Sequence, residues 1–307
     1  MRVTLATIFS ALLLPLTVQS ITVPKDRHVS HAHLGLNSTN LHRGGVAVGF
    51  LPGFRERIAP NAVRDINCLL PAPMAIVGDY IHLQMHDPDL SALDLADAIA
   101  IKMAWINSHG ITVWLRFAHE KWRLIAHAVR ARAHGTYMLW APNVAFGPYV
   151  DSVRGGYSRY WPGADTVDIS GLSFYHFGGE ARLNVLPRPG EALEKIKQFA
   201  DLYGSGQGKP VVLAETGAAY TTSLNSGRPT DGGASNHDIK FAWLQQLLSG
   251  ELKYYVPELK AISWFEMIKD ENSGVQGTSV KCEDYRLIVG EKRLSQDAVR
   301  YLEGGYY

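Results

Sequence analysis

The sequence predicts an α/β fold in which helices surround a parallel sheet closed as a (β/α)8 barrel. Short β-branched or aromatic runs alternate with helical patterns along the chain. Those runs are nearly continuously apolar, as strands buried on both faces are. No Pro/Gly/Ser-rich linker, low-complexity stretch or internal repeat divides the 307 residues, a length that suits one barrel of roughly 250 residues. With 46% apolar residues, 19% charged residues and a net charge of +1, the composition is that of an ordinary globular protein. It excludes a disordered chain and supplies no basic excess for nucleic acid.

The elements follow in order. Residues 1–20 read as a secretory signal: Arg2 precedes an apolar run from Leu5 to Val18, and Val18-Gln19-Ser20 ends it with a small residue. The run is too short for a membrane span. Residues 21–307 then form one domain, secreted and extracellular, with no membrane attachment. Gly45–Phe50 is a first strand and Met74–Leu83 a second. Ser91 caps a helix that runs through Ile106 to a stop at Gly110. Ile111–Phe117 is a strand, and Trp122–His134 is a helix ended by Gly135. Tyr137–Ala141, Val167–Tyr175, Pro210–Glu215 and Ala261–Glu266 are four more strands. Glu191–Tyr203, Asn236–Ser249 and Ser295–Leu302 are helices among and after them. Seven strands are one short of eight, and the missing third strand falls between Leu83 and Ile111, so the barrel is expected to be incomplete there.

Secretion bears on three further features. Asn37-Ser38-Thr39 is a glycosylation sequon that the secretory pathway can use. Cys68 and Cys282 are the only cysteines; in an oxidising compartment they either pair, tying the first barrel layer to the last, or remain two buried thiols. His28, His31, His33 and His42 crowd the entry segment. They read as solvated residues, and neither a metal nor a cofactor is expected.

Chemistry in such a barrel stands at the carboxyl ends of the strands. Three strands lead to Glu: Glu120, Glu215 and Glu266. Cleavage of a glycosidic bond needs a carboxylic acid to protonate the leaving oxygen and a carboxylate to attack the sugar or activate water. Glu120 and Glu215 are far enough apart in sequence for intervening strands, which places them across one mouth. A zinc helix is excluded, because Arg123 stands where His-Glu-x-x-His needs its second His. Arg116 points into the barrel and requires a carboxylate partner. His119 stands beside Glu120, near the sugar or as a structural His. Tyr175 ends a strand next to that of Glu215 and can orient its carboxylate. Trp264 offers a flat face for a pyranose ring, and Trp140 and Trp161 are candidates for outer subsites; each is otherwise a core aromatic. Glu266 reads as a supporting or rim residue.

Five segments, RFAHE (116–120), WAPN (140–143), YWPGADTVDISGLSFY (160–175), KPVVLAETG (209–217) and ISWFE (262–266), stand in an order that resembles glycoside hydrolase family 26. The resemblance spans roughly residues 44–270. It implies a retaining (β/α)8 hydrolase with Glu120 as acid/base on strand four and Glu215 as nucleophile on strand seven. It also implies a plant or fungal cell-wall polysaccharide as partner, β-mannan first and β-1,3-xylan or mixed-linkage glucan next, with endo cleavage and a monomeric enzyme. The two carboxyl groups are then expected about 5–6 Å apart. One departure is clear: the family places a long loop after its His-Glu, whereas Lys121-Trp122-Arg123 follows Glu120 and already reads as helix. The competing expectation is therefore a carbohydrate-binding pseudoenzyme with weak or lost turnover.

Overall fold

The computed structural model describes residues 34–52, 61–78, 92–117, 121–145, 156–179, 182–272 and 280–304. Its first half holds β1 (His42–Arg43), β2 (Val46–Pro52), α1 (Ala62–Asn67), α2 (Ala92–Ser108), β3 (Val113–Arg116), α3 (Trp122–Arg132) and β4 (Thr136–Trp140). Then come β5 (Ile169–His176), α4 (Glu191–Phe199), β6 (Val211–Ala218), β7 (Tyr220–Ser223), α5 (Asn236–Leu247) and α6 (Gly250–Tyr255). The chain continues with β8 (Leu259–Glu266), β9 (Ile268–Asn272), β10 (Val280–Asp284) and α7 (Lys292–Glu303). Among the described residues no helix is long and apolar enough to cross a membrane.

Seven strands form one sheet in the order β1-β2-β8-β6-β5-β4-β3, parallel from β2 onward. The two-residue β1 folds back on β2 antiparallel through Gly44 and Gly45. Both glycines have positive φ (57° and 77°), the backbone that a tight hairpin turn demands and that a side chain resists. Strands β2 and β8 lie side by side although they come from opposite ends of the chain, as in a barrel. Among the described residues, however, the sheet is a curled half-barrel with β1 and β3 at its edges, and the predicted eight-stranded closure is not shown.

The second predicted strand, Met74–Leu83, is described only as far as residue 78. Its described part makes a single parallel bridge, Val77 to Phe50, with Ala75 N donating to Val48 O and Gly78 N to Phe50 O, each at 2.9 Å. Residues beyond 78 in that run, and any third strand within 79–91, lie outside the described residues. Between Val77 and β3 the described chain supplies only α2.

The interior floor of the sheet is built by Ala47, Leu139, Ile169, Val212 and Ala261, one from each of five strands, with Leu34 buried among them. Leu36, Ile76 and Trp114 pack against this group, and the Trp114 indole donates to Leu34 O at 2.8 Å. Small Ala47 and Ala261 leave the space that Leu34 fills, so the segment before β1 plugs the floor where the ring of strands is thinnest. A larger apolar core lies between the outer face of the sheet and the helices. Trp264 belongs there. It is fully buried and donates its indole N–H to Tyr285 O at 2.8 Å.

Past the ends of β6 and β8, the chain forms a second, three-stranded antiparallel sheet in the order β7-β10-β9. Its charged strands, IKDEN and VKCED, carry no apolar run, which is why sequence patterning passes over them. The segment after β10 is held from two sides. The Glu266 carboxylate accepts from the amides of Leu287, Ile288 and Val289 at 2.8–3.0 Å. From α5, the ammonium of fully buried Lys240 donates to Asp284 Oδ1 (3.2 Å) and Arg286 O (2.8 Å).

The predicted helices recur with small changes. α4 ends at Phe199 and continues as a π turn, Ala200–Gly204. α5 is capped by Ser235, whose hydroxyl accepts from Asp238 N. Cys68 is exposed and Cys282 is half-buried, and both are free, so the possible disulfide between them is absent. Asn37 is exposed, and its side-chain oxygen accepts from the amide and hydroxyl of Thr39.

One ion-pair cluster joins α5 to α7: His237 bonds Asp238 at 3.0 Å and Asp297 at 2.9 Å. Burial alone would lower the His237 pKa, but the bonds to the two carboxylates outweigh it and raise it. A raised histidine pKa stabilises the fold fully below the unfolded value, near 6.5, and the contribution disappears as pH rises through the folded value. The thermal midpoint should therefore fall between about pH 6 and about pH 8.5 more steeply in the native protein than in His237→Gln. Parallel profiles would contradict the assignment.

Candidate functional site

Glu215 is delivered to the mouth by a fault in β6. Leu172 pairs with Leu213, but the next residue of β5, Ser173, pairs with Glu215. On the other flank Leu213 pairs with Ile262, whereas Thr216 pairs with Trp264. Strand β6 thus carries one residue more than both neighbours between Leu213 and Thr216. Such a bulge rotates the strand locally and re-aims a side chain. Before it, Val212 faces the interior floor; after it, Thr216 faces outward, accepting from the Trp243 indole and donating to Phe174 O. Glu215 lies between the two.

Its carboxylate is gripped by three residues. Arg116 Nη1, at the end of β3, lies 2.7 Å from Oε1. On β5 the Tyr175 hydroxyl donates to Oε2 at 3.0 Å and the Ser173 hydroxyl to the same oxygen at 3.4 Å. The Glu215 side chain is 13% exposed and that of Arg116 33%, so both members of the pair keep some contact with solvent. A guanidinium on one oxygen and hydroxyls on the other fix the plane of the carboxylate.

Around it stands a cluster of rings. Tyr175 meets Phe177, Phe265 and Tyr285 with centroids 5.5–5.7 Å apart, and Phe265 meets Tyr285 at 5.2 Å. Gly217 leaves room for them, since a Cβ there would sit 3.3 Å from the Tyr285 ring, 3.7 Å from the Tyr175 ring and 3.7 Å from Phe265 Cβ. The Tyr285 hydroxyl donates to buried Glu283 at 2.6 Å, and burial next to that carboxylate pushes the phenol's pKa far up. Tyr285 is therefore a fixed neutral prop behind Tyr175.

The predicted site residues divide into three groups. Arg116, Tyr175 and Glu215 are brought together. His119 and Glu120 lie outside the described residues, and so does the distance between the two carboxyl groups. The tryptophans go elsewhere. Trp264 is buried on the outer face of β8, and Phe265 takes the interior position in its place. Trp140 is 5% exposed and packs against Tyr157, Trp161, Phe199 and Tyr203 between the sheet and α4. Half-buried Trp161 leans on Trp140 and Tyr203 in the same cluster. Both pack into the wall of the core, Trp140 almost fully buried and Trp161 partly exposed. Glu266 is buried as a backbone anchor, its pKa raised by burial against the pull of the three amides and Lys240. Sequence reading missed Ser173, Phe177, Phe265 and Tyr285. For Phe177 a signal existed, since it continues the alternation Ser173, Tyr175 past the strand end.

Among the described residues no group of three His, Cys, Asp or Glu side chains is arranged to hold a metal ion. No protein-family model and no curated protein matches the chain. Solved structures do. A β-glucuronidase from an uncultured Clostridium superposes with a TM-score of 0.51 at 12% identity, covering 88% of this chain and 54% of its own. A fungal β-1,4-galactanase superposes with a TM-score of 0.45 at 15% identity over 84% of this chain and 88% of its own. The GH26-CBM35 β-(1,4)-mannanase of Podospora anserina gives 0.32 at 18% identity over 55% and 31%. At these identities the likeness speaks to the fold alone: a mixed α/β protein with a curled sheet of the kind found in barrel glycosidases.

Proposed function

We propose that the protein is a glycoside hydrolase of the family 26 type, cutting internal β-glycosidic bonds of a cell-wall polysaccharide, β-mannan first among them. The observation that carries this reading is the bulge-presented Glu215 in the carboxyl half of β6, held by Arg116 on one oxygen and by Tyr175 and Ser173 on the other. Holding of this kind suits a nucleophile, which must be ionised and aimed before the sugar arrives. In the first step Glu215 attacks the anomeric carbon while Glu120 gives its proton to the departing glycosidic oxygen. In the second, Glu120 takes a proton from water, whose oxygen displaces Glu215 from the sugar. The net result is hydrolysis with retention at the anomeric centre. The protein acts as a secreted monomer in this reading, needs no cofactor, and can carry a glycan on Asn37.

A second reading, a carbohydrate-binding protein with weak turnover, is favoured by α3 beginning at Trp122, which leaves no room for a long loop after Glu120. Fewer polar groups would then reach the sugar in the transition state. Reducing-sugar release from β-mannan, β-1,3-xylan and mixed-linkage glucan separates the two. Turnover at about 1 s⁻¹ or faster, ordinary for enzymes, supports the hydrolase. Binding without release supports the second reading, and neither binding nor release on any of the three sinks both.

A further inference from the structure

We infer that Phe177 is the stacking platform of the cleft, taking the C–H face of a neutral β-linked pyranose beside Glu215; this rests on the hydrolase reading above. Ser173, Tyr175 and Phe177 alternate along β5 and its continuation, so they share one side of the chain. The first two reach Glu215, and Phe177 is the next side chain outward. Its ring is fixed by neighbours, lying 5.5 Å from Tyr175 at 30° and 6.4 Å from Tyr285 nearly edge-on. The other rings of the cluster are spent on packing, with Phe265 7% and Tyr285 3% exposed, whereas Phe177 is 45% exposed. A large apolar ring held in place, nearly half exposed and one ring away from a gripped carboxylate is a binding surface more than a packing element.

The turn that follows maintains the opening. Gly178 has φ +89°, and a Cβ there would lie 2.0 Å from Leu183 O, so the backbone bends sharply away directly after Phe177. Gly179 N donates to Arg182 O, and the amides of Leu183 and Asn184 both donate to Asp231 O, which pins the loop. Phe177 carries no polar group, so it can recognise only the apolar face of a sugar. Rings whose axial C–H bonds line one face fit it, and a charged sugar gains nothing from it.

The test measures Kd for β-1,4-mannohexaose and for a mixed-linkage glucohexaose by calorimetry in the Glu215→Gln protein, which keeps the side-chain shape and stops hydrolysis. Phe177→Ala and Phe177→Leu should each weaken the Kd for whichever sugar binds by roughly five- to tenfold, the scale of one aromatic contact. Phe177→Trp should stay within about twofold or bind more tightly, because a flat face is retained. Leu keeps apolar bulk without the flat ring, so a Leu variant that binds as well as Phe177 overturns the inference even if Ala disturbs Tyr175. Equal affinity in all variants overturns it too, while leaving the hydrolase reading standing. If the parent binds neither of these sugars nor a β-1,3-xylohexaose, both readings fall together.

Discussion

Replacing Glu215 with Ala should abolish hydrolysis of any polysaccharide the protein cleaves, lowering kcat by on the order of 10⁴-fold or more, at least about 5 kcal/mol of barrel-mouth catalysis. Arg116, Tyr175 and Ser173 are all directed at the two oxygens of Glu215, and they would be left without the carboxylate they orient. The small side chain also opens a space where an external anion can sit against the Arg116 guanidinium. Azide added to Glu215→Ala with an activated aryl glycoside should therefore give a glycosyl azide of inverted configuration. Glu120→Ala should behave differently: substantial activity on substrates with good leaving groups, which need little protonation, and little on polysaccharide. Equal and unrescued losses in both variants would remove the assigned roles.

The second large effect concerns a carboxylate outside the chemistry. Glu266→Ala should destabilise the fold by about 3–5 kcal/mol, measured as a shift of the urea midpoint at unchanged slope. Three buried or half-buried amides, those of Leu287, Ile288 and Val289, lose their acceptor at once. Buried Lys240 loses a nearby negative charge as well. Against a total stability of roughly 5–15 kcal/mol, that loss is large. Glu266→Gln keeps an acceptor oxygen and should lie between Ala and native. A loss below about 1 kcal/mol in Ala would mean that water satisfies the amides. Because the same segment carries Tyr285 against Tyr175, any activity lost in Glu266→Gln should track stability and recover on cooling, unlike that of Glu215→Ala.

The apolar runs, their alternation with helices and the placing of Glu215 on a strand were legible in the sequence, because burial of a parallel sheet on both faces leaves a compositional trace; that the strand runs on past Glu215 to Ala218 was not. So was the need of Arg116 for a carboxylate, since a guanidinium inside a barrel demands one. Which carboxylate, and which ring, depended on parity. A strand that is apolar at every position gives no alternation to say what faces in, and a shift by one residue exchanges the faces. Trp264 and Phe265 are neighbours of similar chemistry; only the register of β8 against β2 and β6 sends the first into the outer core and the second to the mouth. The extra residue in β6 is still less visible, because a bulge is a mismatch between strands and one strand does not carry it. Tyr285 and Glu283 reach Tyr175 from a charged segment far along the chain, held there by Glu266 and Lys240. The separation of Cys68 from Cys282 was equally a matter of tertiary structure, since an even count of thiols says nothing of where their backbones lie. Local sequence determined most of the elements and the candidate carboxylate. Contacts between distant strands decided how that group is aimed and what surrounds it.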